Sequence, residues 1–451
     1  MAVWERLETL ISREETQRRE EGCDTTGFRE RIEACKGDRA KLSAIYDELD
    51  KLQIRPDFPY KEPEGRRVEE IFALAEPAPD PGFHGSEEEL YDRMYGAWLG
   101  RCIGCALGKP LECFPFVYGR DGLTGWELVK AYLEGANALP LDGYIPGTST
   151  SPDKVAPYCK DSFRENIRFM ETDDDVRYLL LALLMGEQKG NDFTPDDVAV
   201  LWQTHLPVRM CFTAELQAYH NSMVAEIDDP EERYAYYATY HNPFREWIGA
   251  QIRVDHYAYA NAGSPRLAAE VAWKDARFSH TKNGIYGAMF VAAAIAAAFN
   301  GNDPETCVEI GLSVVPKTSR LYEAVRDAVA MAKAADSVET LYDGLWKKYG
   351  HYHPVHTINN AALCAAALVY GKGDFTRTIV TAVCCGWDTD CNGATVGSLM
   401  GALLGARGLP ANWVEPLHDT LYSALPDYHP TAISACAKRS VELYKKLHGN
   451  G

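Results

Sequence analysis

The chain has 451 residues, 46% hydrophobic and 25% charged, enough for one large globular domain or two with a sizeable core. Acids number 65 against 46 Lys plus Arg, and the net charge of -19 argues against nonspecific nucleic-acid binding, leaving open only recognition through a local basic patch. The N-terminus lacks a signal peptide's basic and apolar regions, the longest apolar run (Tyr286 to Phe299) is too short for a bilayer, and 13 cysteines show no disulfide-framework spacing, so a cytoplasmic protein with no membrane association is expected.

In chain order, residues 4–20 and 27–53 predict two amphipathic helices, from the spacing of Trp4, Leu7, Leu10 and Ile11 and of Ile32, Leu42, Ile45 and Leu49. The stretches RPDFPYKEPEG and EPAPDPGFHG then predict an irregular linker or a wrapping arm. A boundary near residue 88 divides an N-terminal helical hairpin and Pro-rich arm (1–88) from the main domain (89–451), which the extension is expected to buttress.

From Tyr91 onward the apolar runs are long, periodic and rich in Ala and Leu: 92–108, 174–188, 196–204, 265–276, 284–299, 320–334, 359–370, 378–385, 393–406 and 430–447. Short β-branched alternating runs are scarce, so the domain is expected to be all-α. The first of these helices, GAWLGRCIGCALGKPLE, carries Gly96, Gly100, Gly104 and Gly108 in a four-spaced row and leads past Pro110 to Glu112. Its Cys102-x-x-Cys105 follows no strand, so a redox motif is rejected. GCALGKP is one residue short of a Walker A loop and has Pro where the Mg²⁺-binding hydroxyl belongs.

Two acidic clusters each open an apolar helix. Thr172-Asp173-Asp174-Asp175 precedes VRYLLLALLMG, and Asp388-Thr389-Asp390-Cys391 precedes a run with Gly393, Gly397, Gly401 and Gly405. Asp at a helix start is ordinarily an N-cap or a partner of the helix dipole. If the two clusters converge, however, several carboxylates share one volume and need a cation, and hard oxygen ligands select Mg²⁺, Mn²⁺ or Ca²⁺ over zinc. An EF-hand is excluded because its twelfth loop position is Leu399.

The middle of the chain, NPFREWIGAQIRVDHYAYANAGSP from Asn242 and ARFSHTKNGIYGAMF from Ala276, has the polar, aromatic, Gly-punctuated character of a ligand-lining loop. His351, His353 and His356 lack the spacing of a zinc site, and a loop histidine facing the pocket, His356, is expected instead.

Taken together, GAWLGRCIGCALGKPLE, TDDD, FSHTKNGIYGAMFVAAAIAAAF and GWDTDCNGATVGSLMGALLG resemble, in that order, the ADP-ribosylglycohydrolase superfamily over about residues 91–451. The resemblance implies a compact orthogonal helical bundle with two adjacent divalent cations, usually Mg²⁺ or Mn²⁺, at the bottom of an ADP-ribose cleft. It implies Thr172, Asp173, Asp174, Asp388 and Asp390 as metal ligands, with Cys391 where the family commonly has a hydroxyl ligand, and Glu112 over the metals. It further suggests that His280 and the Gly249-Ala250-Gln251-Ile252-Arg253 stretch, including Gly249, Gln251 and Arg253, bind substrate. Two positions depart from the motifs. Cys391 is a poor ligand for a hard cation, which predicts a looser or more hydrated ion, and Cys105 stands where an acid is usual.

The implied activity is divalent-metal-dependent hydrolysis of an ADP-ribosyl bond at the ribose anomeric carbon through a metal-activated water, with Glu112, Asp173 or Asp388 as the base. The expected partner is an ADP-ribosylated protein or a small ribosyl substrate. The alternatives are a hydrolase of a free nucleoside or other small N- or O-glycoside, and a non-catalytic ADP-ribose-binding protein.

Overall fold

The computed structural model describes residues 6–151 and 157–449. Among them the only strands are Thr420–Leu421 and Thr431–Ala432, paired antiparallel, and the rest of the regular structure is helical, as the pattern predicts. Each predicted run from 92 onward coincides with a helix to within a few residues, including Glu87–Gly108, Asp174–Lys189, Lys282–Ala298, Thr357–Gly371 and Thr389–Leu404, while the run 430–447 passes through the strand Thr431–Ala432 before the helix Ile433–His448. The Lys282–Ala298 helix is buried along its whole length, as befits a segment apolar all round, and forms the centre of the core. No helix of the described residues is long and apolar enough to cross a membrane.

Two close-packed glycine rows organise the site. The helices Glu87–Gly108 and Thr389–Leu404 run antiparallel with Gly96 against Gly401, Gly100 against Gly397, Gly104 against Gly393 and Gly108 against Thr389. A Cβ on Gly104 would lie 1.8 Å from the Gly393 carbonyl oxygen, so only glycine lets the backbones approach this closely. The Thr389 hydroxyl donates to the Gly108 carbonyl oxygen at 2.8 Å, fixing the register where one helix ends and the other begins. That register brings Lys109 and Glu112 beside Asp388 and Asp390.

Two expectations need correction, and one falls partly outside the described residues. The helix predicted over 27–53 is two, Phe28–Ala34 and Arg39–Asp50, because Lys36 and Gly37 adopt positive φ and Asp38 caps the second through the Ala40 and Lys41 amides. In the first predicted helix, Leu7–Glu20 is observed and Trp4 lies outside the described residues. The stretch from Asn242 is no open loop: it folds into the buried short helices Gly249–Ile252 and Asp255–Ala260. A further helix, Gly125–Gly135, escaped the pattern although Thr124 and Glu127 form a capping box there.

The N-terminal residues wrap the helical body. Arg245 is ion-paired with Glu14 at 2.8 Å and Glu21 at 3.0 Å, and Gln17 donates to Glu246 at 2.7 Å. Farther on, Glu62 pairs with Arg320 at 2.7 Å and the Trp273 indole donates to the Gly65 carbonyl oxygen at 2.6 Å. The first helix thus sits behind the segment that carries Trp247.

Candidate functional site

Asp173 caps the Asp174–Lys189 helix: its Oδ1 accepts from the Asp175 amide at 3.0 Å, while its Oδ2 is ion-paired with the Lys109 ammonium. Asp175 points into the core, where Arg101 binds it at 2.6 Å and Asp255 at 2.7 Å. Asp388 occupies the N-cap position of the Thr389–Leu404 helix but accepts no capping bond, and it follows a turn in which Gly386 and Trp387 take positive φ. The turn is braced by a tilted ring contact of Trp387 with Trp346, whose indole donates to the Cys385 carbonyl oxygen at 2.8 Å.

These elements converge on a cavity of about 460 Å³ lined by Glu112, Thr172, Asp173, Asp174, Asp388 and Cys391 on its acidic side. Asp390 lies just beneath, 2% exposed, within a group formed by Asp388, Asp390 and Cys391 whose ligand atoms lie within 4.8 Å of one another. A second such group comprises Cys105, Asp173, Asp175 and Asp390. Burial, with Asp173 next, pushes Asp174 up to about 8 and Asp390 up to about 6. Burial and then Asp390 hold both Glu112 and Asp388 well above the usual carboxylate range. The cluster therefore resists full ionisation unless positive charge enters it. The Oδ1 atoms of Asp388 and Asp390 are buried without a hydrogen-bond partner, a donor set suited to a hard divalent cation. Burial also raises the Cys391 thiol well above its ordinary value, so the sulfur facing the cavity is neutral.

The opposite walls are apolar: Met210, Phe212, Trp247, Ile248, Ile252 and Val355. Trp247 is held by two neighbours. His353 stacks on it with centroids 4.0 Å apart, and the Arg13 guanidinium lies 5.2 Å from its ring centroid. At the mouth, the Tyr158 hydroxyl donates to Glu112 at 2.8 Å.

Of the residues expected to bind substrate, Gly249 lines the cavity and four do not. Arg253 is buried in ion pairs with Asp275 and, at 2.8 Å, with Glu215. The His280 Nδ1 pairs with the Ser279 hydroxyl at 2.7 Å, and burial, followed by Arg253, keeps the ring neutral. Gln251 is fully buried against the Lys282–Ala298 helix, where its amide oxygen would lie 3.1 Å from a Cβ on Gly287. The His356 Nδ1 accepts from the Ile358 amide at 3.1 Å as a helix cap, and burial lowers its pKa to about 3. Arg253, His280 and His356 are thus engaged behind the wall, whereas both polar atoms of the Gln251 amide are buried there without a hydrogen-bond partner. Sequence reasoning missed Lys109, Tyr158 and Arg177. Arg177 follows Asp173 by one helical turn, where its charge favours the ionised Asp173, and donates to the Thr172 hydroxyl at 2.8 Å; the i,i+4 spacing of Asp173 and Arg177 was a usable signal.

The sequence profile of a family described as ADP-ribosylglycohydrolase matches residues 86–448. A solved structure described as an ADP-ribosylglycohydrolase-related protein complex shares the fold, with a TM-score of 0.50 and 20% identity, covering 80% of this chain and 99% of that one. Among curated protein sequences, none matches this chain.

Proposed function

The chain belongs to the ADP-ribosylglycohydrolase family, and we propose that its cleft hydrolyses an ADP-ribosyl bond at the ribose anomeric carbon with the help of Mg²⁺ or Mn²⁺. The observation that carries this reading is the pair of buried, unpartnered carboxylate oxygens of Asp388 and Asp390 at the floor of a cavity that Glu112 and Asp174 also face. Asp388 and Asp390 would hold a hard divalent cation, which would supply the charge that lets these acids ionise together and Lewis acidity toward sugar hydroxyls. Thr172, Asp173 and Asp174 complete the polar floor, and Cys391 flanks it as a neutral thiol.

The chain's own groups divide the remaining work. Asp173 is committed to Lys109 and to its helix cap, so it is a poor proton acceptor. Glu112 lies past the end of its helix, oriented by the Tyr158 hydroxyl, and we assign to it the proton of the attacking water. The Trp247 wall stacks on a flat leaving group or base and excludes water from it. The division into an extension (1–88) and a catalytic unit (89–451) is part of the same proposal, with the extension holding the Trp247 wall. Thirteen unpaired cysteines support a reducing, cytoplasmic setting.

One observation favours a second reading, hydrolysis of a free nucleoside or other small glycoside. Among the described residues lining the cavity the only cationic side chains are Lys109 and Arg177. Lys109 is paired with Asp173, and Arg177 is engaged by Thr172 and the Met210 carbonyl oxygen, which leaves little for a diphosphate. The deciding experiment incubates the protein with Arg- and Ser-linked ADP-ribosyl peptides beside free nucleosides, with EDTA and then with Mg²⁺ restored. Mg²⁺-dependent ADP-ribose release is expected. Cleavage of nucleosides alone selects the second reading, and silence on both refutes hydrolysis of either class.

A further inference from the structure

The two groups of metal-ligating side chains differ in what already faces them. In the group of Cys105, Asp173, Asp175 and Asp390, Lys109 binds Asp173 with side chains only 10% and 6% exposed, and Arg101 binds Asp175 at 2.6 Å with both side chains fully buried. Arg101 is itself fixed, since it also holds Asp255 at 2.7 Å. The remaining non-carboxylate member, the Cys105 thiol, is buried 3.9 Å from Asp175 and is a poor ligand for a hard cation. In the group of Asp388, Asp390 and Cys391, by contrast, no side-chain cation among the described residues is ion-paired to either acid, although the Lys109 charge acts on Asp390 from beyond contact, and each acid leaves a buried Oδ1 without a hydrogen-bond partner.

We propose that the Lys109 ammonium takes the place of one cation of a binuclear centre, so that this chain binds a single divalent ion, held between Asp388 and Asp390. A lysine ammonium is a compact point charge with three donors. Lying against Asp173, it occupies the carboxylate oxygen that a second ion would need, and its charge repels a dication brought to the same place. Lys109 reaches this position because it directly follows the glycine-packed helix, whose last residue, Gly108, touches the Thr389 backbone. The inference shares with the hydrolase reading only the premise that the floor holds a cation, and it is independent of which bond is cleaved.

The test counts ions without substrate. Full-length protein is stripped with EDTA, dialysed and titrated with Mn²⁺, with bound metal followed by elemental analysis and electron paramagnetic resonance. One Mn²⁺ per chain with no Mn–Mn coupling is expected for the unmodified protein. In Lys109→Met, two ions per chain with a coupled spectrum are expected. Two ions, or none, in the unmodified protein overturns the proposal, as does a single ion in folded Lys109→Met. Should Lys109→Met fail to fold, Asp388→Asn decides. Loss of the one ion, with at least a tenfold rise in its apparent Kd, supports the assignment, whereas retention at the original affinity places the ion elsewhere and overturns it. Failure of the peptide and nucleoside assays leaves this count unaffected, so the two readings fall separately.

Discussion

Gly104→Ala tests whether the glycine rows build the site. The added Cβ would lie 1.8 Å from the Gly393 carbonyl oxygen, and ordinary contact begins at 3.4 Å, so the helices must part locally by about 1.6 Å. Overpacking of this kind costs roughly 1–3 kcal/mol, and backbone atoms, unlike a flexible side chain, cannot swing aside. The same displacement separates Glu112 from Asp388, and a 1 Å misplacement of reacting groups can cost ~100-fold in rate. Gly344→Ala is the matched control. It lies within the Val338–Tyr349 helix, and its Cβ would meet Met331 Sδ at 3.4 Å, so it is expected to be neutral or to gain up to ~1 kcal/mol of helix propensity. The measurements are thermal unfolding followed by circular dichroism, Mn²⁺ affinity, and turnover of the substrate that the peptide and nucleoside panel identifies. Gly104→Ala is expected to lower Tm by several degrees and to weaken Mn²⁺ binding at least tenfold. Unchanged Tm and unchanged metal affinity would refute the claim that these glycines set the geometry of the acids.

Four further perturbations follow from particular contacts. Asp388→Ala is expected to abolish turnover and reduce bound metal with the fold intact, read by elemental analysis and circular dichroism, because the substitution also relieves like-charge crowding. Cys391→Thr, which restores a hard oxygen, is expected to lower the Mg²⁺ concentration for half-maximal activity; no change would show that the thiol points away from the ion. Glu20 is held at about 7, first by burial and then by Glu246, so the native state favours its protonated form, and its contribution to stability is lost as pH rises from about 4.5 to about 7. Glu20→Gln is therefore expected to raise denaturation midpoints at pH 8 and leave them unchanged at pH 4. Arg13→Ala removes a cation–π contact worth ~0.5–1 kcal/mol from the Trp247 wall and is expected to raise KM a few-fold at unchanged kcat.

Much of this arrangement was legible because its signals are local. Glycines at every fourth position announce a close backbone approach, and Asp at the mouth of an apolar helix announces a charge problem whatever surrounds it. The partner is not local, and periodicity alone did not pair Gly96 with Gly401 or Gly104 with Gly393. The substrate residues misled for a related reason. A polar residue satisfied by a distant partner and one waiting for a ligand look identical in sequence, and Arg253, which meets Glu215 and Asp275, is of the first kind. His353, two residues after His351, stacks on the cavity wall while His356 turns inward as a cap, and nothing in HYHPVH distinguishes them. Phe28–Ala34 was separable from Arg39–Asp50 at Gly37-Asp38, a turn glycine followed by an N-cap that the apolar spacing masked.

The acids themselves show how one residue type takes two roles in one small volume. Asp173 and Asp175 are answered by Lys109 and Arg101, carried on the Glu87–Gly108 helix and its continuation, so their charge is settled when the chain folds. Among the described residues Asp388 and Asp390 have no ion-paired cation, each keeps a buried Oδ1 without a partner, and Asp388 at the helix start makes no capping bond. Leaving two buried carboxylate oxygens unsatisfied costs stability that a capped helix would retain. The tight glycine packing and the ion pairs of the wrapped N-terminal arm stabilise the surrounding fold against that cost.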